Sequence, residues 1–193
     1  MPRSEHIRHD KWIVRYVAFV RNVMVGRQGL GRSALLSAFA EAGADEPVSY
    51  LATGNVSFAC APATVAGVGA AAQQRIANIL GRDEEVFVRS LAALRRRVSG
   101  RPFTPAPWQD TYERCVSFTA SDLRNLELPY VTSRKDACLF DRVGADVYSV
   151  TRTIGGRPGS PGKALERLLG QPVTTRNWNT IERIVWLHAS PSR

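Results

Sequence analysis

Seven consecutive residues near the C-terminus, Thr174 to Thr180, combine one guanidinium group, two side-chain amides, an indole and three hydroxyl groups. Few solvated loops hold so many directional hydrogen-bonding groups beside a tryptophan. In a binding site, Arg176 would hold an anion, Asn177 and Asn179 would hydrogen-bond a planar polar group, and Trp178 would stack on a ring. This segment is therefore the first candidate ligand-binding surface of the chain.

The same segment also suits a structural role. Asn177 or Asn179 would cap the last helix, and Glu182 would complete a capping box because it lies three residues beyond Asn179. Trp178 would then anchor the hydrophobic core. The two interpretations are compatible, and we place the structural one somewhat ahead.

A second candidate is the loop from Gly155 to Lys163, which leads into a helix. A Walker A phosphate loop is excluded, because Arg157 stands where a glycine is required and Ala164 follows the lysine. The helix start near Gly162 nevertheless offers free N–H groups and the positive end of the helix dipole, with Arg157 and Lys163 beside it. These groups suit a phosphate or carboxylate, and a turn with solvated charges explains them equally well.

Other catalytic chemistries find little support in the residue pattern. The three histidines, His6, His9 and His188, lie near the two ends of the chain, and no nucleophile elbow, zinc-protease or dinucleotide-binding motif is present. The three cysteines, Cys60, Cys115 and Cys138, are far apart and form neither a C-x-x-C motif nor a disulfide framework. We therefore expect no metal and no cofactor, and catalytic residues stay unknown.

The chain carries a formal net charge of +9 and has a pI of about 10.2. Such a charge suits a polyanionic partner, such as nucleic acid or a phosphorylated small molecule. However, arginine outnumbers lysine 23 to 3, and the arginines are scattered, as codon bias in a G+C-rich genome would produce. We favour codon bias over a dedicated nucleic-acid surface by roughly two to one, since net charge speaks only to non-specific binding.

Hydropathy and residue periodicity indicate how these groups are positioned. No apolar run approaches the ~20 residues that span a bilayer, and residues 1–11 lack the apolar region of a secretory signal, so we expect a cytoplasmic protein with a flexible N-terminal tail. Apolar runs at residues 12–20, 48–52, 56–60 and 85–89 predict strands. Helical periodicity predicts helices that begin at Ser33, Val65 and Leu91. The resulting order, β-α-β-β-α-β, is that of a ferredoxin-like unit.

The second part of the chain repeats this order in part. Strands are predicted at residues 112–119, 137–141 and 147–150, and helices at Ser121 or Asp122, after Ser160, and from Trp178 to His188. The fold class is therefore α+β with two ferredoxin-like subdomains side by side. The predicted divisions are a tail (residues 1–11), a first half (12–99), a proline-rich linker (100–111), a second half (112–188) and a tail (189–193).

Four stretches in this order resemble the domain of unknown function 1697 family. They are Tyr16–Arg21 followed by Val25-Gly26, then Gly54–Phe58, then the loop Gly155–Lys163, and finally Thr175–Thr180. The resemblance spans roughly residues 14–187, and its last motif is the most specific. It implies a compact α+β protein of two ferredoxin-like subdomains, and it brings no established activity.

Two loops depart from the family pattern. After the first strand the family typically has Arg-Gly-Ile-Asn-Val-Gly, whereas this chain places Asn22 at the glycine and Met24 at the asparagine. The family's Gly-Arg-Ser-Lys is stretched here into Gly156–Lys163. If these loops line the family's site, this chain has altered that site.

Two functional hypotheses remain open. The first is binding of an anionic or nucleotide-like ligand in a cleft between the two halves, by Arg21, Asn22, Asn55 and the loop and helix residues named above. The second is a cofactor-independent small-molecule enzyme whose site is rebuilt from the altered loops, because catalytic groups favour loops on a rigid scaffold. A pocket that holds Arg21, Asn55 or Asn177 would favour the enzyme.

Overall fold

The computed structural model describes residues 12–27, 29–121 and 123–189. The predicted tail at residues 1–11, with His6 and His9, and most of the tail at 189–193 lie outside this range. The described residues form two antiparallel sheets with helices packed against them, which confirms the α+β class. No helix in the described ranges is both long enough and apolar enough to cross a bilayer.

The first half has the predicted β-α-β-β-α-β order followed by a further helix. Its sheet has the strand order β2-β3-β1-β4, in which β1 pairs with both β3 and β4. The elements are β1 (Val14–Val20), α1 (Arg32–Ala40), β2 (Asp45–Tyr50), β3 (Asn55–Cys60), α2 (Val65–Leu80), β4 (Val86–Ser90) and α3 (Leu91–Ser99).

The second half builds a five-stranded sheet in the order β11-β5-β8-β7-β6, and a two-stranded hairpin projects from it. Its elements are β5 (Glu113–Phe118), β6 (Tyr130–Val131), β7 (Ala137–Val143), β8 (Asp146–Thr151), β9 (Thr153–Ile154), β10 (Arg157–Pro158), α4 (Pro161–Leu169), β11 (Thr174–Asn177) and α5 (Trp178–Leu187). The loop predicted at residues 155–159 therefore contains the turn and second strand of this hairpin.

Strand alternation divides the apolar residues of the first sheet between two faces. Tyr16, Ala18 and Val20 pack with α1 and α2 in one core. Val17 and Phe19 face the opposite way, into a core that belongs to both halves. The first sheet therefore has no face turned to water.

The shared core joins the two sheets. Phe19 of β1 and Phe118 of β5 stack with ring centroids 4.2 Å apart and planes 11° from parallel. Helices α3 and α5 add Leu91, Leu94 and Ile181, and α5 begins with the buried Trp178. A smaller core lies between the outer face of the second sheet and α4.

One predicted helix is wrong. Residues 119–129 contain no helix among those described, although Ser121 or Asp122 was expected to begin one; Asp122 itself lies outside the described ranges. The apolar side chains Leu123, Leu126 and Leu128 pack against the small outer core instead. The second sheet is thus covered by one helix and a loop where the first sheet has two helices.

Helix ends agree with the sequence only in part. Pro161 stands in the first turn of α4 and Gly170 ends it at φ +61°. The hydroxyl of Ser160 makes no capping bond, and α1 begins after Gly31 rather than with a cap from Ser33. The turn before β3 places Gly54 at φ +66°, where a Cβ would lie 2.3 Å from Val23.

The shared core leads to a stability prediction. Phe118→Ala should lower the free energy of unfolding by about 3–5 kcal/mol, because the ring is fully buried against Phe19. Tyr112→Ala is the matched control, since that ring is 60% exposed, and it should change stability by less than about 1 kcal/mol. Urea denaturation measures both. Equal losses in the two variants would contradict the shared core.

Candidate functional site

The segment Thr174–Thr180 spans the edge strand β11 and the first turn of α5. Because β11 pairs with β5 and places Arg176 opposite Val116, the Arg176 side chain points toward the first half. Thr175 points to the opposite face, where its hydroxyl bonds that of Ser117 at 2.8 Å. The strand therefore separates residues that the sequence presents as one motif.

Arg176 uses all five of its N–H groups inside the protein. Its Nε donates to Asn55 Oδ1 at 2.7 Å. Its Nη1 donates to Thr174 Oγ1 and to the Thr175 carbonyl, and its Nη2 to the carbonyls of Val20 and Thr53. Three of these bonds cross from the second half to the first. The guanidinium therefore has no N–H left for an anion, and Arg176 and Asn55 form a link between the halves.

None of the five acceptors is a carboxylate. Burial without a counter-charge lowers the pKa of Arg176 to about 10. Its guanidinium carbon lies 5.7 Å from the ring centroid of Phe19, which offers a weak cation–π contact. The cation is thus held by neutral dipoles, and its charge is not cancelled by an ion pair.

The rest of the segment follows the structural interpretation, except that Glu182 does not complete the predicted capping box with Asn179. Asn177 caps α5, because its Oδ1 accepts the backbone N–H of Asn179 at 3.0 Å, and its amide donates to Glu113 at 3.3 Å. Trp178 is 3% exposed, and its indole N–H donates to Glu182 at 3.0 Å. The Glu182 carboxylate therefore faces the indole. Asn179 is exposed.

Arg21 lies at the end of β1 and also links the halves. Its Nη2 lies 2.8 Å from Glu166 of α4, and its Nη1 lies 3.2 Å from Glu84. The neighbouring Asn22 is exposed at φ +49°, and its carbonyl accepts a bond from Arg82. The altered loop after the first strand therefore borders an ion-pair network at the edge of α4.

Arg157 and Lys163 meet at a cleft of about 760 Å³ beside α4. The turn between β6 and β7, the β9–β10 hairpin and α4 form its walls, so it lies within the second half and not between the halves. The described residues that line it are Thr132, Ser133, Arg134, Asp136, Arg157, Pro158, Ser160, Lys163, Glu166 and Arg167.

Charge in this cleft is unevenly compensated. The buried Asp136 accepts Arg134 at 3.2 Å and the Thr132 hydroxyl at 2.7 Å, and Glu166 is paired with Arg21. The remaining cations are Arg157, Lys163 and Arg167. All three are exposed, and none has a side-chain hydrogen bond or ion pair to any described residue. An excess of positive charge therefore faces this opening.

Two glycines hold the approach to α4 close to the sheet. A Cβ on Gly159 would lie 2.0 Å from the Asp136 carbonyl oxygen, and one on Gly162 would lie 2.5 Å from Thr175 Oγ1. Larger residues would push the chain away from the sheet. The stretched loop thus keeps glycine where the backbone is most crowded.

Another cleft, of about 430 Å³, lies under the linker where α3, the second sheet and α5 meet. It is lined by Phe103, Trp108 and Trp178, with Arg101 and Arg114 also in its wall. Of the predicted ligand residues, only Trp178 lies there. The nine predicted residues are therefore divided between two clefts, two links between the halves, the cap of α5 and exposed positions.

The sequence analysis did not predict the pair formed by Tyr50 and His188. The Tyr50 hydroxyl lies 2.9 Å from His188 Nε2 and accepts a bond from Ser57. Burial, Arg15 and Arg95 lower the pKa of His188. A signal was present, because His188 lies four residues after the inward Ile184 and so continues the buried face of α5.

The cysteines are all buried, and burial raises the pKa of each, that of Cys115 to about 12. Thiolate chemistry therefore has no support at neutral pH. Across residues 12–27, 29–121 and 123–189, no group of three or more His, Cys, Asp or Glu side chains is arranged to hold a metal ion.

The two halves, joined by the links of Arg21 and Arg176, and the basic cleft at α4 define an α+β protein. Comparison with known proteins identifies similar ones. The family described as "Protein of unknown function (DUF1697)" matches residues 13–148. The chain belongs to this family. The matched range includes the first altered loop and ends before Gly155–Lys163 and Thr174–Thr180.

A solved structure extends the likeness over most of the chain. The conserved bacterial protein SP0830 from Streptococcus pneumoniae superposes with a TM-score of 0.62 at 18% identity, over 92% of this chain and 99% of that one. At this identity the similarity concerns the fold. A comparison with curated proteins found no significant match.

Arg176 generates a prediction about how the halves are held. Arg176→Lys keeps a buried positive charge but reduces five donors to three, so at least two acceptors lose their partners. The free energy of unfolding should fall by about 2 kcal/mol or more. Arg167→Lys is the control, since Arg167 is exposed and has no side-chain partner within residues 12–27, 29–121 and 123–189, and it should stay within about 0.5 kcal/mol. A stability change this small in Arg176→Lys would argue against the link.

His188 generates a prediction about pH. Its pKa is lowered in the folded protein, so the unfolded chain binds the proton more readily as the pH falls below about 6.5. Stability should therefore be complete above this pH and should decrease as the pH falls toward the lowered pKa. His188→Gln should remove part of this decrease. Urea titrations between pH 5 and pH 8 compare the slopes, and identical slopes would exclude a role for His188.

Proposed function

We propose that the protein binds a small phosphate-bearing anion in the cleft beside α4. The observation that carries this proposal is the group Arg157, Lys163 and Arg167, three exposed cations around one opening that have no side-chain partner among the described residues. Phosphate oxygens accept several hydrogen bonds at once and match both guanidinium and ammonium groups. The cleft volume, about 760 Å³, also lies within the range of small-molecule sites, roughly 300–1,000 Å³.

The start of α4 adds to this preference. Pro161 has no N–H, and Ala164 is the first residue of α4 whose N–H bonds back to Ser160. The N–H groups of Gly162 and Lys163 therefore precede the helical ladder, where partial positive charge accumulates. An anion at this end of the cleft would meet backbone donors and side-chain cations together.

Nucleic acid is the less favoured partner. Several arginines that raise the net charge are used within the fold: Arg89 and Arg97 pair with the buried Asp146, Arg21 with Glu166, and Arg176 with neutral acceptors. The cations of the cleft surround a concave opening. A phosphorylated metabolite or nucleotide fits this arrangement better than an extended polyanion does.

An enzyme remains the alternative, and Tyr50–His188 is the observation that favours it. A phenol hydrogen-bonded to a neutral imidazole can transfer a proton, and Tyr50 also lines a small cleft with Thr180 and Arg183. If this pair is catalytic, any activity found for the purified chain should fall in Tyr50→Phe, which keeps the ring. Activity retained in that variant would exclude the pair.

The anion proposal is tested with inorganic pyrophosphate by isothermal titration calorimetry at low and high salt. Lys163→Ala and Arg157→Ala should each weaken binding by about tenfold, the effect of one charge-assisted hydrogen bond. Added salt should weaken wild-type binding, because salt screens the contacts that the anion makes with exposed cations.

Arg96→Ala is the matched control, since it removes one exposed positive charge from α3 and Arg96 does not line the cleft. Its affinity for pyrophosphate should equal that of the wild type. Equal losses in Arg96→Ala and Lys163→Ala would reduce the effect to net charge. No binding by the wild type at millimolar pyrophosphate would exclude the proposal.

A further inference from the structure

Three aromatic side chains line the cleft under the linker. Phe103 and Trp178 pack against each other with ring centroids 5.3 Å apart, and Trp108 also belongs to the lining. Its volume of about 430 Å³ is near the lower end of the range for small-molecule sites. It shares no lining residue with the cleft beside α4.

Phe103 and Trp108 are each fixed by contacts with other residues of the protein. Phe103 makes edge-to-face contacts with Phe140 and Tyr148, at ring-centroid distances of 5.8 and 5.7 Å. These contacts restrict the orientation of its ring. Trp108 stacks on the guanidinium of Arg152 at 4.1 Å, and Arg152 is paired with Asp110 at 2.6 Å. Rings fixed in this way bind a planar ligand without losing much side-chain entropy.

The charges at this cleft favour an anion. Arg101 has no side-chain partner among the described residues, and Arg114 lies 5.7 Å from the ring centroid of Phe103 without pairing to any described carboxylate. Glu182 is the one carboxylate among the described lining residues, and it accepts the indole N–H of Trp178. Two guanidinium groups thus face a single carboxylate that already has a donor.

These features select between ligand classes. An aromatic cage alone would suit a quaternary ammonium ion, but Arg101 and Arg114 would repel it. A purely apolar ligand would leave both guanidinium groups without a new partner. A ring that carries a carboxylate uses the aromatic side chains and the cations together, because arginine pairs with carboxylates through two parallel hydrogen bonds.

We propose that this cleft binds a planar aromatic carboxylate, with its ring against Phe103 and Trp108 and its carboxylate at Arg101 and Arg114. The site is independent of the anion site beside α4, since the two share no residue. It assigns a binding role to the linker, residues 100–111, which supplies Arg101, Phe103 and Trp108.

The test uses 2-naphthoate as the probe in isothermal titration calorimetry with the full chain. Two analogues separate the contributions: 2-naphthalenemethanol keeps the rings without the charge, and cyclohexanecarboxylate keeps the charge without an aromatic ring. We expect 2-naphthoate to bind at least tenfold more tightly than either analogue. Equal affinity for 2-naphthoate and one analogue would overturn the proposal.

Variants then locate the site. Arg114→Met should weaken 2-naphthoate binding by about tenfold and leave 2-naphthalenemethanol binding unchanged, because only the cation is lost. Trp108→Leu should weaken both ligands. Arg114 is exposed and Trp108 only half-buried, and far-ultraviolet circular dichroism with urea midpoints establishes that both variants are folded.

Lys163→Ala is the matched control, since it belongs to the other cleft. It should bind 2-naphthoate as the wild type does, and Arg114→Met should bind pyrophosphate as the wild type does. Failure of this proposal is thus separate from failure of the anion proposal. Absence of 2-naphthoate binding at millimolar concentration, or equal affinity in Arg114→Met and wild type, would overturn it.

Discussion

The structure depends on the burial of two sheet faces against one another. The first sheet is apolar on both sides, and α1 and α2 can cover only one of them. The remaining face, with Val17 and Phe19, must find another apolar surface, and the second sheet supplies it through Val116 and Phe118. At roughly 25 cal/mol per Å² of apolar area, aromatic contacts of this size outweigh any single polar bond in the molecule. Helices α3 and α5, which complete this core, therefore belong to both halves.

This shared core also governs how the arginines are used. Where the sheets meet, backbone carbonyls lose water and need donors, and Arg176 donates to those of Val20, Thr53 and Thr175. Arg89 serves a similar purpose for the carbonyls of Thr119 and Ala145 while pairing with Asp146. A large part of the basic composition thus consists of structural cations. The cations at the two clefts that pair with no carboxylate in the described part of the chain are those left for ligands.

Local patterns sufficed for much of the fold. Helix α2 could be predicted from its apolar period and strands β1 and β3 from their apolar runs, whereas β2 begins at Asp45, three residues before the run predicted at residues 48–52. The absence of the helix predicted near Ser121 could not be foreseen, because the apolar residues of this segment pack just as well from a loop against α4. The candidate site was predictable only at Arg157 and Lys163. For Arg176, residue type alone could not distinguish a free guanidinium from one whose acceptors include carbonyls 123 and 156 positions earlier in the chain.

The three buried cysteines have a practical consequence for spectroscopy. A thiol must ionise before it attacks a maleimide or an iodoacetamide, and the raised pKa values of Cys60, Cys115 and Cys138 keep their thiolate fractions small. Their burial further hinders the approach of a bulky reagent. A cysteine introduced on the surface can therefore carry a fluorophore or spin label without removal of the native ones. Distances between the two halves can therefore be measured with little signal from labelled native cysteines.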